Sequence, residues 1–230
     1  MQTQITGFGP NSSEPAQVDP TTGAMRVSLR PIDYTPSFGG PIGGHYKIST
    51  MTGTMAAGIA SLAQVFQVRW ADPSKLFMLQ RMLVQCSTGT GFAATTLGCP
   101  LQLIVGHGST ANGSGGTALA PNSISNRMRG TMAATAFATS GEIRIATTAA
   151  LTGATGQTLE AAGIGICMGA PNGTLVMSPQ MLLFGGDAMA GDHPLILNSG
   201  DTLAVRTYTP AATGTWFMTI TMEWVEAINF

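Results

Sequence analysis

From His45 onwards apolar and polar positions alternate with period two, most clearly at the end of the chain. There Trp216, Met218, Ile220, Met222 and Trp224 fall on one face and Phe217, Thr219, Thr221 and Glu223 on the other. Successive side chains of a strand point to opposite faces, so this run predicts one long strand. Upstream, Leu203, Val205 and Thr207 alternate with Ala204 and Arg206, and Pro210-Ala211-Ala212-Thr213-Gly214 supplies turn chemistry between the two runs. Leu195-Ile196-Leu197 ends in Asn198-Ser199-Gly200-Asp201, a set that favours positive φ and Asx hydrogen bonds. Three consecutive strands are therefore expected to close the chain.

Further strands follow from the same pattern. Phe66, Val68 and Trp70 alternate with Gln67 and Arg69; Leu76 to Val84 is a more continuous apolar run; Leu101, Leu103 and Val105 alternate; Ile143 and Ile145 alternate with Glu142 and Arg144. Ile164, Ile166 and Met168 precede Leu175 and Met177 across Pro171-Asn172-Gly173. Asn-Gly signals a hairpin, and Pro171, which lacks an N–H, lengthens the connection. Residues 56–63 fit a short helix or another strand. Eight or so strands, punctuated by Gly, Pro and Asn and without βα alternation, predict an all-β antiparallel sandwich of jelly-roll type over residues 45–230.

Residues 1–44 read differently. Six of the 13 prolines lie within the first 41 residues, mixed with Asn, Ser, Thr and Gly. Proline removes a donor and pushes its predecessor towards extended geometry, so this segment predicts an extended arm, either a floppy tail or one ordered by neighbouring subunits. At full stretch it spans ~145 Å. Within it Met25-Arg26-Val27-Ser28-Leu29-Arg30-Pro31-Ile32 alternates as a short strand, which makes Arg26, Leu29 and Arg30 interface candidates.

Charge changes the picture most. Of 230 residues, 10 are Lys or Arg and 11 Asp or Glu, so 9% are charged and the net charge is −1. An ordinary domain is about 25% charged; here each charge would serve roughly 470 Å² of surface against roughly 170 Å² at ordinary composition. Such a surface favours association over staying single. The outer face of the last strand, Phe217, Thr219 and Val225, is too apolar to be left wet and suggests a covering sheet or subunit. Methionine, 14 residues, adds flexible thioethers suited to surfaces that must fit more than one neighbour.

Several classes are excluded by the same reading. Two lysines and eight scattered arginines make no basic stripe for nucleic acid. The charge-free window from Ile48 to Val68 is studded with Gln, Ser, Thr and Gly, too polar for a membrane span. The start Met1-Gln2-Thr3-Gln4-Ile5 has neither a basic nor an apolar leader region, so a cytosol-like compartment is expected. Cys86, Cys99 and Cys167 form no disulfide framework and read as buried thiols.

Chemistry-bearing motifs are thin. Gly106-His107-Gly108-Ser109 with Asn112-Gly113-Ser114-Gly115-Gly116 lacks the Lys and the spacing of a phosphate loop. His45, His107 and His193 form no zinc-ligand pair, and Asp187, Asp192 and His193 read as a solvated turn rather than a calcium loop. No nucleophile elbow accompanies any serine, and the carboxylates make no persuasive glycosidase pair. Asn11, Asn112 and Asn172 lie in sequons that mean nothing without secretion. Arg127 and Arg129 would share one strand face, where Arg pairs can clamp a neighbour's carboxylate. No cofactor, metal or enzymatic activity is expected.

Two groups of residues carry a family resemblance. Gly44-His45-Tyr46-Lys47-Ile48-Ser49, through Met55-Ala56-Ala57-Gly58 to Phe66-Gln67-Val68-Arg69-Trp70, resembles virion structural proteins of tailed bacteriophages. So does the ending His193-Pro194-Leu195-Ile196-Leu197-Asn198, Val205-Arg206, Ala212-Thr213-Gly214-Thr215-Trp216 and Glu223-Trp224. The resemblance covers about a third of the chain and carries no catalytic residues. It implies a component of a phage particle without saying which one; taken with the poorly charged surface, the expectation is a homotrimeric capsid cement or decoration protein, assembled in the bacterial cytoplasm and bound on the capsid exterior to the major capsid protein of the same phage. The alternative is a tail, collar or head-fibre appendage contacting host glycans, which needs exposed aromatic and amide groups at loop tips; Trp70, Tyr208 and the 106–116 loop are its candidates.

Overall fold

The computed structural model describes residues 44–94, 100–121, 126–128, 132–168, 181–185, 195–208 and 211–228. The expected arm with its strand at 25–32, the Pro171-Asn172-Gly173 hairpin, Cys99, Arg129 and the 187–193 turn lie outside them. In chain order the strands are β1 (His45–Met51), β2 (Met55–Ala56), β3 (Ala63–Arg69), β4 (Lys75–Thr88), β5 (Ala93–Ala94), β6 (Pro100–His107) and β7 (Thr117–Leu119). After these come β8 (Glu142–Ile145), β9 (Thr158–Leu159), β10 (Gly165–Met168), β11 (Met181–Phe184), β12 (Leu195–Leu197), β13 (Thr202–Thr207), β14 (Ala211–Thr213) and β15 (Thr215–Ile228).

All pairings between them are antiparallel, in two main sheets and one small ribbon. The first sheet runs β1–β15–β4–β11, with β12 also on β4 and β2 on β15; the second runs β10–β6–β13–β3–β8–β7, with β9 also on β6. Counting β1, β3, β4, β6, β10, β11 with β12, β13 and β15 as eight strands, the chain changes sheet at every step except β6 to β10. The resulting orders, 1-8-3-6 and 2-7-4-5, are the interleaved sheets of a jelly roll. The three closing strands are present, but β13 lies in the opposite sheet from β12 and β15.

β15 obeys its alternation to the end: Trp216, Met218, Ile220, Met222 and Trp224 are all buried. Its partner β4 does not. Phe77 and Leu79 point inward before Gln80, whereas Met82, Val84 and Cys86 do so after it, because β15 passes from Glu223 opposite Arg81 to Trp224 opposite Leu79. One extra residue in a strand resets which parity faces the core. Leu76 to Val84 reads as a continuous apolar run because outward-facing Leu76, Met78 and Leu83 are apolar as well. The same device sits in β3, where Arg206 faces Gln64 and Val205 faces Phe66, so both Val65 and Phe66 enter the core.

The core holds a network of rings. Trp70 meets Phe137 edge-on at 5.0 Å and Phe77 at 5.7 Å, while Trp224 stacks on Tyr46 at 5.5 Å and on Phe77 at 6.1 Å. Burying a large apolar side chain contributes about 1.5–3 kcal/mol, and paired rings add ~1 kcal/mol for favourable orientation. Phe137 comes from a single 3₁₀ turn, Ala136–Ala138, in the long insertion between β6 and β10. The same insertion supplies β7 and β8, which extend the second sheet beyond β3.

Two local expectations are corrected. Ala56 closes β2 and Ala63 opens β3, with turns and not a helix between them. Residues Ala211–Thr213 are a strand, β14, paired with β5, and Gly214, at φ 81°, bends the chain between β14 and β15 without reversing it. A Cβ there would stand 2.2 Å from the carbonyl carbon of Gly91, a contact only glycine permits.

Candidate assembly surface

The outward face of the first sheet is assembled by register. Across β12, β4, β15 and β1 run Ile196, Met78, Val225 and His45. Across β11, β4, β15 and β1 run Leu182, Leu83, Thr221 and Ser49, and beside them Gln85, Thr219 and Met51. Between these rows Arg81, Glu223 and Lys47 form a charged stripe, with Arg81 Nη2 donating to Glu223 Oε1 at 2.6 Å. Ser49 and Thr221 hydroxyls meet at 3.0 Å.

This face is unevenly covered. Val225 is only 5% exposed and packs with Leu76 and Met78 as a small second apolar cluster. Phe217 and Thr219 are half-buried. Met51, Leu182 and Ile196 are 56%, 50% and 41% exposed, and Met128, beside the edge of β1, is 45% exposed. These four were missed by sequence reasoning. Ile196 had a signal, since it lies out of phase between Leu195 and Leu197; Met51 required knowing that β1 is an edge strand.

The other expected interface residues divide. Arg26, Leu29, Arg30 and Arg129 lie outside the described residues. Arg127 forms an isolated bridge with Tyr46, and its Nη1 donates to Met132 O at 2.8 Å. It is half-buried and tied to its own chain. Burial and the nearby Glu226 charge push the Tyr46 hydroxyl above its usual range, with Arg127 opposing.

Midway along the insertion, the Ala136–Ala138 turn covers Glu226, which is buried. Its carboxylate accepts from the Thr135 hydroxyl, from Ala136 N–H at 3.0 Å and from Trp224 Nε1 at 3.4 Å, with Lys75 Nζ at 3.4 Å. A buried carboxylate is tolerated because donors replace its lost water. Its role is to fasten the insertion to the last strand.

A second fastening uses amides. The outer face of the second sheet carries Gln64, Gln67, Gln102, Thr202 and Arg206; Gln157 from the insertion accepts from Gln67 at 3.3 Å and Thr202 at 2.9 Å, and Arg206 donates to Gln102 at 2.6 Å.

His107 is the one histidine within ion-pair distance of carboxylates among the described residues. Its Nδ1 lies 2.8 Å from Asp201 and its Nε2 3.2 Å from Glu160. Hydrogen bonds to Asp201 and then Glu160 hold its pKa above the ordinary value. His45, by contrast, is pushed down by burial, against the pull of Glu223. Among the described residues no group of three or more His, Cys, Asp or Glu side chains could hold a metal ion, and no helix is long and apolar enough to cross a membrane. Trp70, a candidate only for the alternative, glycan-contacting reading, is fully buried with its Nε1 donating to Lys75 O at 2.8 Å, so it cannot meet a ligand.

No protein-family model matches the chain, and comparison with curated proteins and with solved structures finds no significant similarity.

Proposed function

We propose that this chain is a bacteriophage virion structural protein: a homotrimeric cement or decoration protein held on the capsid exterior by contacts with the major capsid protein. The observation that carries the reading is the outward face of the first sheet, where Met51, Leu182 and Ile196 stand exposed around a single charged stripe in a chain with 9% charged residues. Exposed apolar side chains spread over a face with so little charge favour burial against another surface. The resemblance of the Gly44–Trp70 and His193–Trp224 blocks to phage virion proteins supports the setting.

The action is mechanical. Burying apolar surface stabilises a contact by about 25 cal/mol per Å². A trimer touching several shell subunits at once adds effective concentration to modest single affinities. The outward face would bind neighbours while the ring-filled core keeps each body rigid. The test is a pull-down of full-length protein with purified capsids, combined with its copy number per particle. Hundreds of copies with saturable capsid binding support the reading; a dozen or so copies, or no capsid binding, overturns it.

A further inference from the structure

Residues 155–163 of the insertion run beside β6 as a strap held by polar contacts, and none of them is buried. Thr155 N–H donates to Ala111 O at 3.1 Å and Glu160 N–H to Val105 O at 2.9 Å. Between these points β9 makes only two pairs with β6, Leu159 on Gly106 and Thr158 on His107. Gln157 completes the set by accepting from Gln67 and Thr202, both of them buried. A segment with so little apolar burial opens locally at small cost, because lifting it returns chiefly amides and hydroxyls to water.

His107 joins this strap to the sandwich, with Nδ1 2.8 Å from Asp201 and Nε2 3.2 Å from Glu160. The two carboxylates are held differently. Asp201, 14% exposed, is fixed to the body: its Oδ2 accepts from Asn198 N–H at 2.8 Å and its carbonyl from Trp70 N–H at 2.9 Å. Glu160, 39% exposed, lies on the strap, and its carboxylate meets the body through His107. The further charged group on this side is Arg69 of β3, whose guanidinium donates to Ser109 and Asn112 in the loop that follows His107.

We infer that His107 is a proton-operated latch: the imidazolium ties the strap of residues 155–163 to the sandwich, and loss of its proton releases the strap. The imidazolium donates to both carboxylates. Neutral imidazole has one N–H, which stays with the closer and less exposed Asp201; its Nε2 lone pair then faces a Glu160 oxygen, acceptor against acceptor. Hydrogen bonds to Asp201 and Glu160 raise the pKa of the ring, so the latch is closed below about pH 6.5 and opens as pH rises through the folded value. Gly153 and Gly163 bracket the strap and can absorb the change in backbone angles. The inference is independent of the proposed function, since it concerns local opening of one chain, whatever that chain binds.

Hydrogen–deuterium exchange of the full-length protein at pH 5.5 and pH 8.5, with labelling times scaled to the intrinsic exchange rate, reads the opening directly. Peptides from β4 and β15 serve as the internal reference. Against them, the opening constant of a peptide carrying residues 155–163 should rise about fivefold at the higher pH, the worth of one hydrogen bond between partly exposed groups. Two variants should move it in opposite directions. His107→Ala should leave the strap open at both pH values. Glu160→Gln should keep it closed at both, because an amide accepts from the protonated ring and donates to the neutral one. Equal wild-type protection at the two pH values, a pH response that survives in His107→Ala, or a Glu160→Gln strap that opens at pH 8.5 as the wild type does overturns the latch.

Discussion

Trp224 and Glu226 lie two residues apart on the inward face of β15, and the indole N–H of the first donates to the carboxylate of the second at 3.4 Å. Both belong to the junction where the β6–β10 insertion meets the sandwich, so the last strand is core and anchor at once. Removing the carboxylate in Glu226→Ala leaves buried donors of Thr135, Ala136 and Trp224 without an acceptor. A stability loss of about 3 kcal/mol is expected, against about 1 kcal/mol for Thr135→Ala, which removes the cap of the short turn. Urea unfolding midpoints at unchanged slope measure both.

The Arg81–Glu223 pair, although shorter at 2.6 Å, should matter less. Its side chains are 49% and 18% exposed, and surface pairs contribute at most ~1 kcal/mol. Arg81→Ala should therefore shift the urea midpoint far less than Glu226→Ala; equal shifts would contradict the anchoring role.

His107 makes a pH-dependent contribution. As the imidazolium it donates from both ring nitrogens, one to Asp201 and one to Glu160; as neutral imidazole it donates from only one. Its folded pKa is raised above 6.5, so the stabilisation is fully present below about pH 6.5 and is lost as pH rises through the folded value. His107→Ala should be less stable than wild type at pH 5.5, and the two should converge by pH 9, with the difference shrinking in salt because the ring is half exposed. Chemical denaturation across that pH range checks the sign.

Two glycines with similar backbone angles should respond differently. Gly58 and Gly214 have φ 77° and 81°, but a Cβ on Gly58 meets nothing within 4 Å while one on Gly214 strikes the Gly91 backbone. Gly58→Ala should cost about 1 kcal/mol, the conformational part alone. Gly214→Ala should cost more, by forcing β14 from β5, and thermal melting will separate the two.

Assembly should depend on the exposed apolar positions. Leu182→Lys combined with Ile196→Lys should leave the fold unchanged, since both side chains are exposed, and weaken capsid binding at least tenfold in sedimentation of mixtures. Deleting residues 1–44 should leave a folded body that no longer attaches.

Local chemistry made much of this architecture legible. The parity of Trp216 to Trp224 identifies a one-sided strand, and continuing it by two places puts Glu226 on the buried face. Turn residues such as Asn198-Ser199-Gly200 mark where strands end. The low count of ionic side chains is a property of composition and needs no fold at all.

Three-dimensional pairing decided the rest. Nothing local states that β13 leaves the sheet of its neighbours, that Gln80 and Val65 reset the alternation, or that Ala211–Thr213 finds β5. His107, Asp201 and Glu160 converge only because β13 and β9 both lie beside β6. Periodicity is fixed by each strand's own backbone, but which strand lies beside it is a long-range choice, settled by the burial of both sheets together.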